Sequence, residues 1–165
     1  MVDLITERAA SLTLFVGVRP WVLFFDGSAC EPACGIGLHI VSPRGMVYQF
    51  VFRLVSKLTN NRTEYEAICR GLELLLDAGA EMVEAFGDLR VVIRQLTEDY
   101  DCVSDNLYPY FVKCQNLMAK FCQVNLTWLP REQNDEANRL AQVASGYVPQ
   151  TDDISVEILQ LDTAD

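Results

Sequence analysis

Four polar side chains stand at the borders of apolar patterns: Asp26, Glu64, Asp88 and Asn138. Asp26 follows Trp-Val-Leu-Phe-Phe, a run that reads as buried, and a buried carboxylate without a partner is costly. Glu64 continues the helical stripe Ile68, Leu72, Leu75 one turn earlier. Asp88 follows "MVEAFG", and Asn138 borders the face made by Ala137, Leu140, Ala141 and Ala144, with Asp135 close by. Three carboxylates drawn together raise one another's pKa unless a cation joins them. Carboxylates with no cysteine or histidine in the pattern suit Mg2+ or Mn2+. Two such ions about 4 Å apart clamp the attacking water and the leaving oxygen of a phosphodiester. Each residue also has a plainer reading. Glu64 could complete a capping box with Asn61, Asp88 could cap a helix starting at Leu89, Asp26 could form a turn with Gly27, and Asn138 could be a polar border.

The elements that must position these groups are legible in outline. "WVLFFDGS" reads as a buried strand ended by an Asp-Gly turn. "CGIGLHIVS" is a second strand, and "PRG" turns the chain. "GMVYQFVFRL" alternates, with Met46, Tyr48, Phe50, Phe52 and Leu54 on one face, which makes an antiparallel meander. "LTNNRTEYEAICRGLELLL" is a helix ending near Gly79. "EMVEAFGD" is a strand, "LRVVIRQLTE" a short helix, and a further helix spans about Asn106 to Phe121. "CQVNLTWLP" is a last strand and "REQNDEANRLAQVAS" a last helix. Three strands in a meander, then strands alternating with helices, imply an α/β fold with a mixed sheet and helices on its faces. Asp26 and Asp88 then share one sheet edge if the first and fourth strands are neighbours, and sites gather at such strand ends.

The chain of 165 residues favours one domain, and half of it is apolar, enough for a real core. Residues 1–19 read as a leader or tether, 20–147 as the domain, and 148–165 as an acidic tail or linker. No apolar run is long enough to span a membrane. The acidic N-terminus lacks the apolar core of a secretory signal. The six cysteines lack metal-ligand spacing and read as reduced, which places the chain inside the cell, in cytoplasm or nucleus. A net charge of −10 argues against general adhesion to nucleic acid or anionic membranes, unless carboxylate-bound cations mediate the contact.

The blocks "DGSAC…CGIG", "LTNNRTEYEAICRGLELL", "FGDLRVVIRQL" and "WLPREQNDEANRLAQVAS" resemble the motif series of type 1 ribonuclease H, in order and spacing, over about Trp21 to Ser145. The nearest variety is the ribonuclease H domain of plant gypsy-type LTR retrotransposon polyproteins. There the leader resembles a tether following reverse transcriptase, and the tail a connection toward integrase. The resemblance implies a five-stranded mixed sheet of order 3-2-1-4-5 and metal-dependent hydrolysis of the RNA strand of an RNA/DNA hybrid, with two Mg2+ or Mn2+ ions. Asp26 would bridge both ions, Glu64 would hold one and lie near the RNA 2′-OH, and Asp88 would hold the water-side ion. The fourth metal-ligand position of the family falls on Asn138. Gly27, Ser28, Asn60, Asn61 and Arg131 would meet the substrate. The partners implied are the hybrid and the reverse transcriptase domain of the same polyprotein, with no membrane.

This sequence departs from that pattern in three ways. Asn138 removes one negative charge, and Asp135, one turn earlier, is the residue placed to substitute for it. Arg131 stands where cellular members usually carry a histidine, and the sole histidine, His39, falls within the second strand as a packing or edge residue. Asp99 to Tyr110 contains no Lys or Arg, so the lysine-rich handle of some bacterial members is missing. The expectation is a weakened nuclease, with weak and salt-sensitive binding. The alternative is an inactive module of the same fold serving as a tether or protein-binding domain. A relative acting on DNA alone is disfavoured by "TNNRTE".

Overall fold

Apolar residues at every second position set the architecture. In β1 (Trp21–Ala29), Leu23 and Phe25 point to one face and are fully buried there, while Phe24 and Asp26 point to the other. The structure, a computed structural model, describes residues 19–29, 32–97, 104–147 and 154–159. The expected leader lies outside the described residues except for Arg19.

β1 is followed by β2 (Cys34–Val41), β3 (Val47–Leu54), α1 (Asn60–Asp77), β4 (Met82–Gly87), α2 (Arg90–Thr97), α3 (Tyr108–Met118), β5 (Gln123–Trp128), a 3-10 turn (Arg131–Gln133), α4 (Asp135–Ser145) and β6 (Glu157–Leu159). The sheet order is β5-β4-β1-β2-β3-β6. The first three strands pair antiparallel, while β4 runs parallel to both β1 and β5. The expected five-strand order is contained in this sheet. β6 extends it, running parallel to β3 from Phe52↔Glu157 to Leu54↔Leu159. Part of the segment read as an acidic tail is therefore an edge strand. Three residues are too few to show a period, and the acidic neighbours mask them. What ties this segment down is Ile154, buried against Val51, Leu140 and Val143.

Helices cover both faces. α1 lays Ile68, Leu72 and Leu75 onto the sheet in a cluster with Leu23, Phe25, Ile36 and Leu38. Each of these aliphatic side chains contributes about 1.5–3 kcal/mol by leaving water. α2 and α3 join this side through Val92, Ile93, Tyr110 and Cys114. α4 covers the opposite face with Leu140, Val143 and Ala144. Gly37 of β2 makes that approach possible, because a Cβ there would lie 2.2 Å from the Ala137 carbonyl oxygen. Gly37 is also the cross-strand partner of Asp26. The glycine that admits α4 thus brings the helix down beside that carboxylate.

Two local readings change. The Asp-Gly pair is not a turn: β1 continues through it to Ala29, paired with β2 as far as Cys34. The cap of α1 is Thr59, whose hydroxyl accepts from the Arg62 N–H at 3.3 Å, so Asn61 lies within the helix and makes no capping box with Glu64. Cys34, Cys69, Cys114 and Cys122 are free thiols; Cys30 and Cys102 lie outside the described residues. Among the described residues no helix is long and apolar enough to cross a membrane.

Candidate active site

The pairing of β1 with β4 ends at Phe24↔Phe86, whereas the pairing of β1 with β2 continues. Asp26 and Gly27 lie just past that split, and Asp88 lies just past the end of β4. The first turn of α1 closes onto this point. Gly27 permits the approach, since a Cβ there would stand 2.6 Å from the Thr63 backbone. The Gly27 N–H donates to Glu64 Oε1 at 3.0 Å. This bond, rather than a cap, accounts for a carboxylate in the apolar stripe of α1.

Asp26, Glu64 and Asp88 each offer one oxygen within 4.8 Å of the others. Asp26 is 3% exposed and Glu64 2%. Burial, then the charge of Asp88, pushes Asp26 up to about 7, opposed by a hydrogen bond from Asn138 and the charge of Arg131. Burial, then the charges of Asp26 and Asp88, raises Glu64 well above the usual carboxylate range, opposed by the Gly27 N–H and Arg131. Concentrated, desolvated carboxylate oxygens fit a hard divalent cation, which would supply the positive charge this cluster lacks. Asp26, Glu64 and Asp88 are the residues able to hold it.

α4 and the residue just before it supply two amides. Asn138 Nδ2 donates to Asp26 Oδ2 at 2.9 Å. Asn134, 1% exposed, donates from Nδ2 to the Phe25 carbonyl at 3.0 Å and to Asp88 Oδ2 at 3.2 Å. Asn134 thus ties β1 to Asp88 and holds the two strand ends together. Sequence reasoning missed it. It precedes α4 at the cap position, where an asparagine usually caps, but no side-chain cap bond forms and the amide turns inward. Asp135 does not substitute for the missing fourth carboxylate: its Oδ1 accepts from the Glu136 N–H at 2.9 Å, and its charge acts on His39 instead. His39 contacts Gln49 through Nδ1 at 3.1 Å and packs against Phe24.

Asn60 is exposed and Asn61 half-buried at the start of α1. Gly27 and Ser28 line the same strand end. Arg131 is exposed on the 3-10 turn, with its charge felt at both Asp26 and Glu64.

The sequence matches the family described as Reverse transcriptase-like over residues 24–144. The chain belongs to that family. This reverse transcriptase-like chain is 32% identical over 123 residues to the Ribonuclease HI of Halobacterium salinarum, an alignment covering 73% of this chain and 62% of that protein. The crystal structure of RNase H1 from Halobacterium salinarum superposes with a TM-score of 0.71 at 28% identity, covering 78% of this chain and 99% of that one. LC11-RNase H1 in complex with an RNA/DNA hybrid superposes with a TM-score of 0.68 at 27% identity, covering 77% of this chain and 97% of that one. The fold is ribonuclease H-like.

Proposed function

We propose that the chain is a divalent-metal-dependent endonuclease that hydrolyses the RNA strand of RNA/DNA hybrids. The observation that carries this reading is the convergence of Asp26, Glu64 and Asp88 at the split between β1 and β4. Its support from relatives is the likeness to Ribonuclease HI and to an enzyme crystallised with such a hybrid. Two Mg2+ or Mn2+ ions, when bound, supply a nucleophile at neutral pH and charge neutralisation at the phosphate. Asp26, Glu64 and Asp88 would hold those ions, Asn134 fixes Asp88 relative to β1, and Asn138 stabilises the Asp26 carboxylate by hydrogen bonding. Gly27, Ser28, Asn60, Asn61 and Arg131 border the strand end where the substrate lies. Discrimination for RNA rests on contact with the 2′-OH. We assign the chain to a retroelement polyprotein of the plant gypsy type, working beside a reverse transcriptase domain, inside the cell in cytoplasm or nucleus.

The Asn138–Asp26 bond favours one competing reading. An amide that satisfies Asp26 without a cation suits a non-catalytic module that serves as a tether. Incubation of the protein with a labelled RNA/DNA hybrid and Mg2+ or Mn2+ separates the two. Cleavage that disappears in Asp26→Asn supports the nuclease. Absence of cleavage at high enzyme concentration, with no cation binding by calorimetry, supports the tether.

A further inference from the structure

A chain with a net charge of −10 that acts on a polyanion must present positive charge locally. Several of its arginines are already committed. Arg53 donates to the Ala144 carbonyl, Arg62 donates to the Tyr110 hydroxyl, and Arg139 pairs with Glu136. Arg90 and Arg94 differ. Both are exposed on α2, one turn apart, and neither enters an ion pair among the described residues. Like charges at this spacing repel and weaken a helix, so solubility alone does not call for the pair.

Their surroundings point to a ligand. Arg90, Ile93, Arg94 and Trp128 line one open groove. The Arg90 guanidinium stands 4.0 Å above the centre of the Trp128 ring. An arginine held over an aromatic face keeps the N–H donors along its edge free, in the fork that matches a phosphate. Trp128 is itself fixed, because its indole N–H donates to the Asp88 carbonyl at 3.0 Å and the adjacent Leu129 N–H donates to the Gly87 carbonyl at 2.8 Å. The groove is therefore tied to the backbone that carries Asp88.

We propose that Arg90 and Arg94, with Trp128 as their platform, form a phosphate-binding site for the backbone of the nucleic acid that enters the carboxylate cluster. This rests on the nuclease reading above and adds a contact that holds the strand next to Asp88. The site takes phosphodiester groups and reads no base. It supplies cationic contact in a domain whose segment Asp99 to Tyr110 has none.

The test is a salt titration of hybrid binding by fluorescence anisotropy, in Mg2+, with the full chain carrying Asp26→Asn so that the strand stays intact. Adding Arg90→Gln and Arg94→Gln together is expected to weaken binding by about 10-fold and to lower the slope of log affinity against log salt by about 2. Arg90→Lys, which keeps charge but loses the flat guanidinium, is expected to fall between. Thermal melts that coincide for all variants separate this from misfolding, and a purely structural role would not change the salt slope. Duplex DNA of the same length should lose affinity in proportion, because the contact is to phosphate. Binding with an unchanged slope in the double variant overturns the phosphate site alone. A loss confined to the hybrid overturns its assignment to phosphate. If the Asp26→Asn reference binds no hybrid at low salt, both this site and the nuclease reading fall.

Discussion

Asn138 Nδ2 lies 2.9 Å from Asp26 Oδ2 and donates a hydrogen bond to it. Asn138 is a neutral donor where the resemblance implies a fourth metal ligand. The amide favours the charged form of Asp26 and opposes the effects of burial and of Asp88. It also leaves the cluster with three carboxylates to hold a cation rather than four.

Asn138→Asp is therefore expected to act in opposite directions with and without metal. Without metal, the added charge beside Asp26 lowers thermal stability at pH 8. With Mg2+ or Mn2+, the fourth carboxylate raises cation affinity by about 10-fold, since a unit charge near 4 Å is worth up to about 4 kcal/mol at a partly solvated site before desolvation is subtracted. Calorimetric titration of the cation checks the second effect, and a differential scan of metal-free protein checks the first. Equal affinity in both proteins would show that Asn138 is remote from the cation.

pH dependence follows from the raised carboxylates. Asp26 titrates at about 7 in the fold against 3.8 as its ordinary value, and Glu64 is shifted in the same direction. Between those values the folded chain binds more protons than the unfolded one, so its stability falls as pH rises. Metal-free protein is expected to lose melting temperature from about pH 4 to about pH 7 on account of these groups. Divalent cations should restore it, most at the upper end of that window. Melting curves across pH with EDTA or Mg2+ measure this, and parallel curves would contradict it.

Asn134→Ala removes the donor that serves both the Phe25 carbonyl and Asp88. The expected cost is about 1–3 kcal/mol of stability, because buried acceptors lose their partner. Cleavage should drop further than stability accounts for, as Asp88 loses its tie to β1. Denaturant unfolding and a cleavage assay at a temperature where the variant is folded separate the two effects.

Gly37→Ala sets a Cβ 2.2 Å from the Ala137 carbonyl oxygen and must push α4 from the sheet. A loss of about 2–3 kcal/mol is expected, in the upper range for overpacking. Asn138 should be displaced from Asp26 with it. An unchanged unfolding midpoint would mean that α4 is not seated on β2 as described.

Much of this was legible in the chain. Period two in "GMVYQFVFRL" and the stripe Ile68, Leu72, Leu75 gave strand and helix, but Met46 and Tyr48 of the expected core face are exposed, while Val51 of the other face is buried against α4. The approach of Asp26, Glu64 and Asp88 followed from the strands and helix that carry them. What sequence periodicity could not show was long-range geometry. Asp26-Gly27 has the composition of a turn, yet it stays extended because β2 pairs through it to Cys34. Asn61 is a good cap by type, but Thr59 stands where the helix begins. Asn134 turns inward because α4 lies against β1 and β2, which local composition does not encode. β6 exists because Ile154 finds Val51 and Leu140 across the fold.

The measurement that tests the central claim most directly is cleavage of an RNA/DNA hybrid in Mg2+ or Mn2+ by wild type and by Asp26→Asn. Wild type should cut only the RNA strand, and only with a divalent cation. Asp26→Asn should lose activity by about 100-fold or more, the loss of a few kcal/mol of transition-state stabilisation, while its metal-free fold melts higher at pH 8. Equal rates in the two proteins, or no cleavage by either at high concentration, would contradict the assignment of this carboxylate cluster as a nuclease centre.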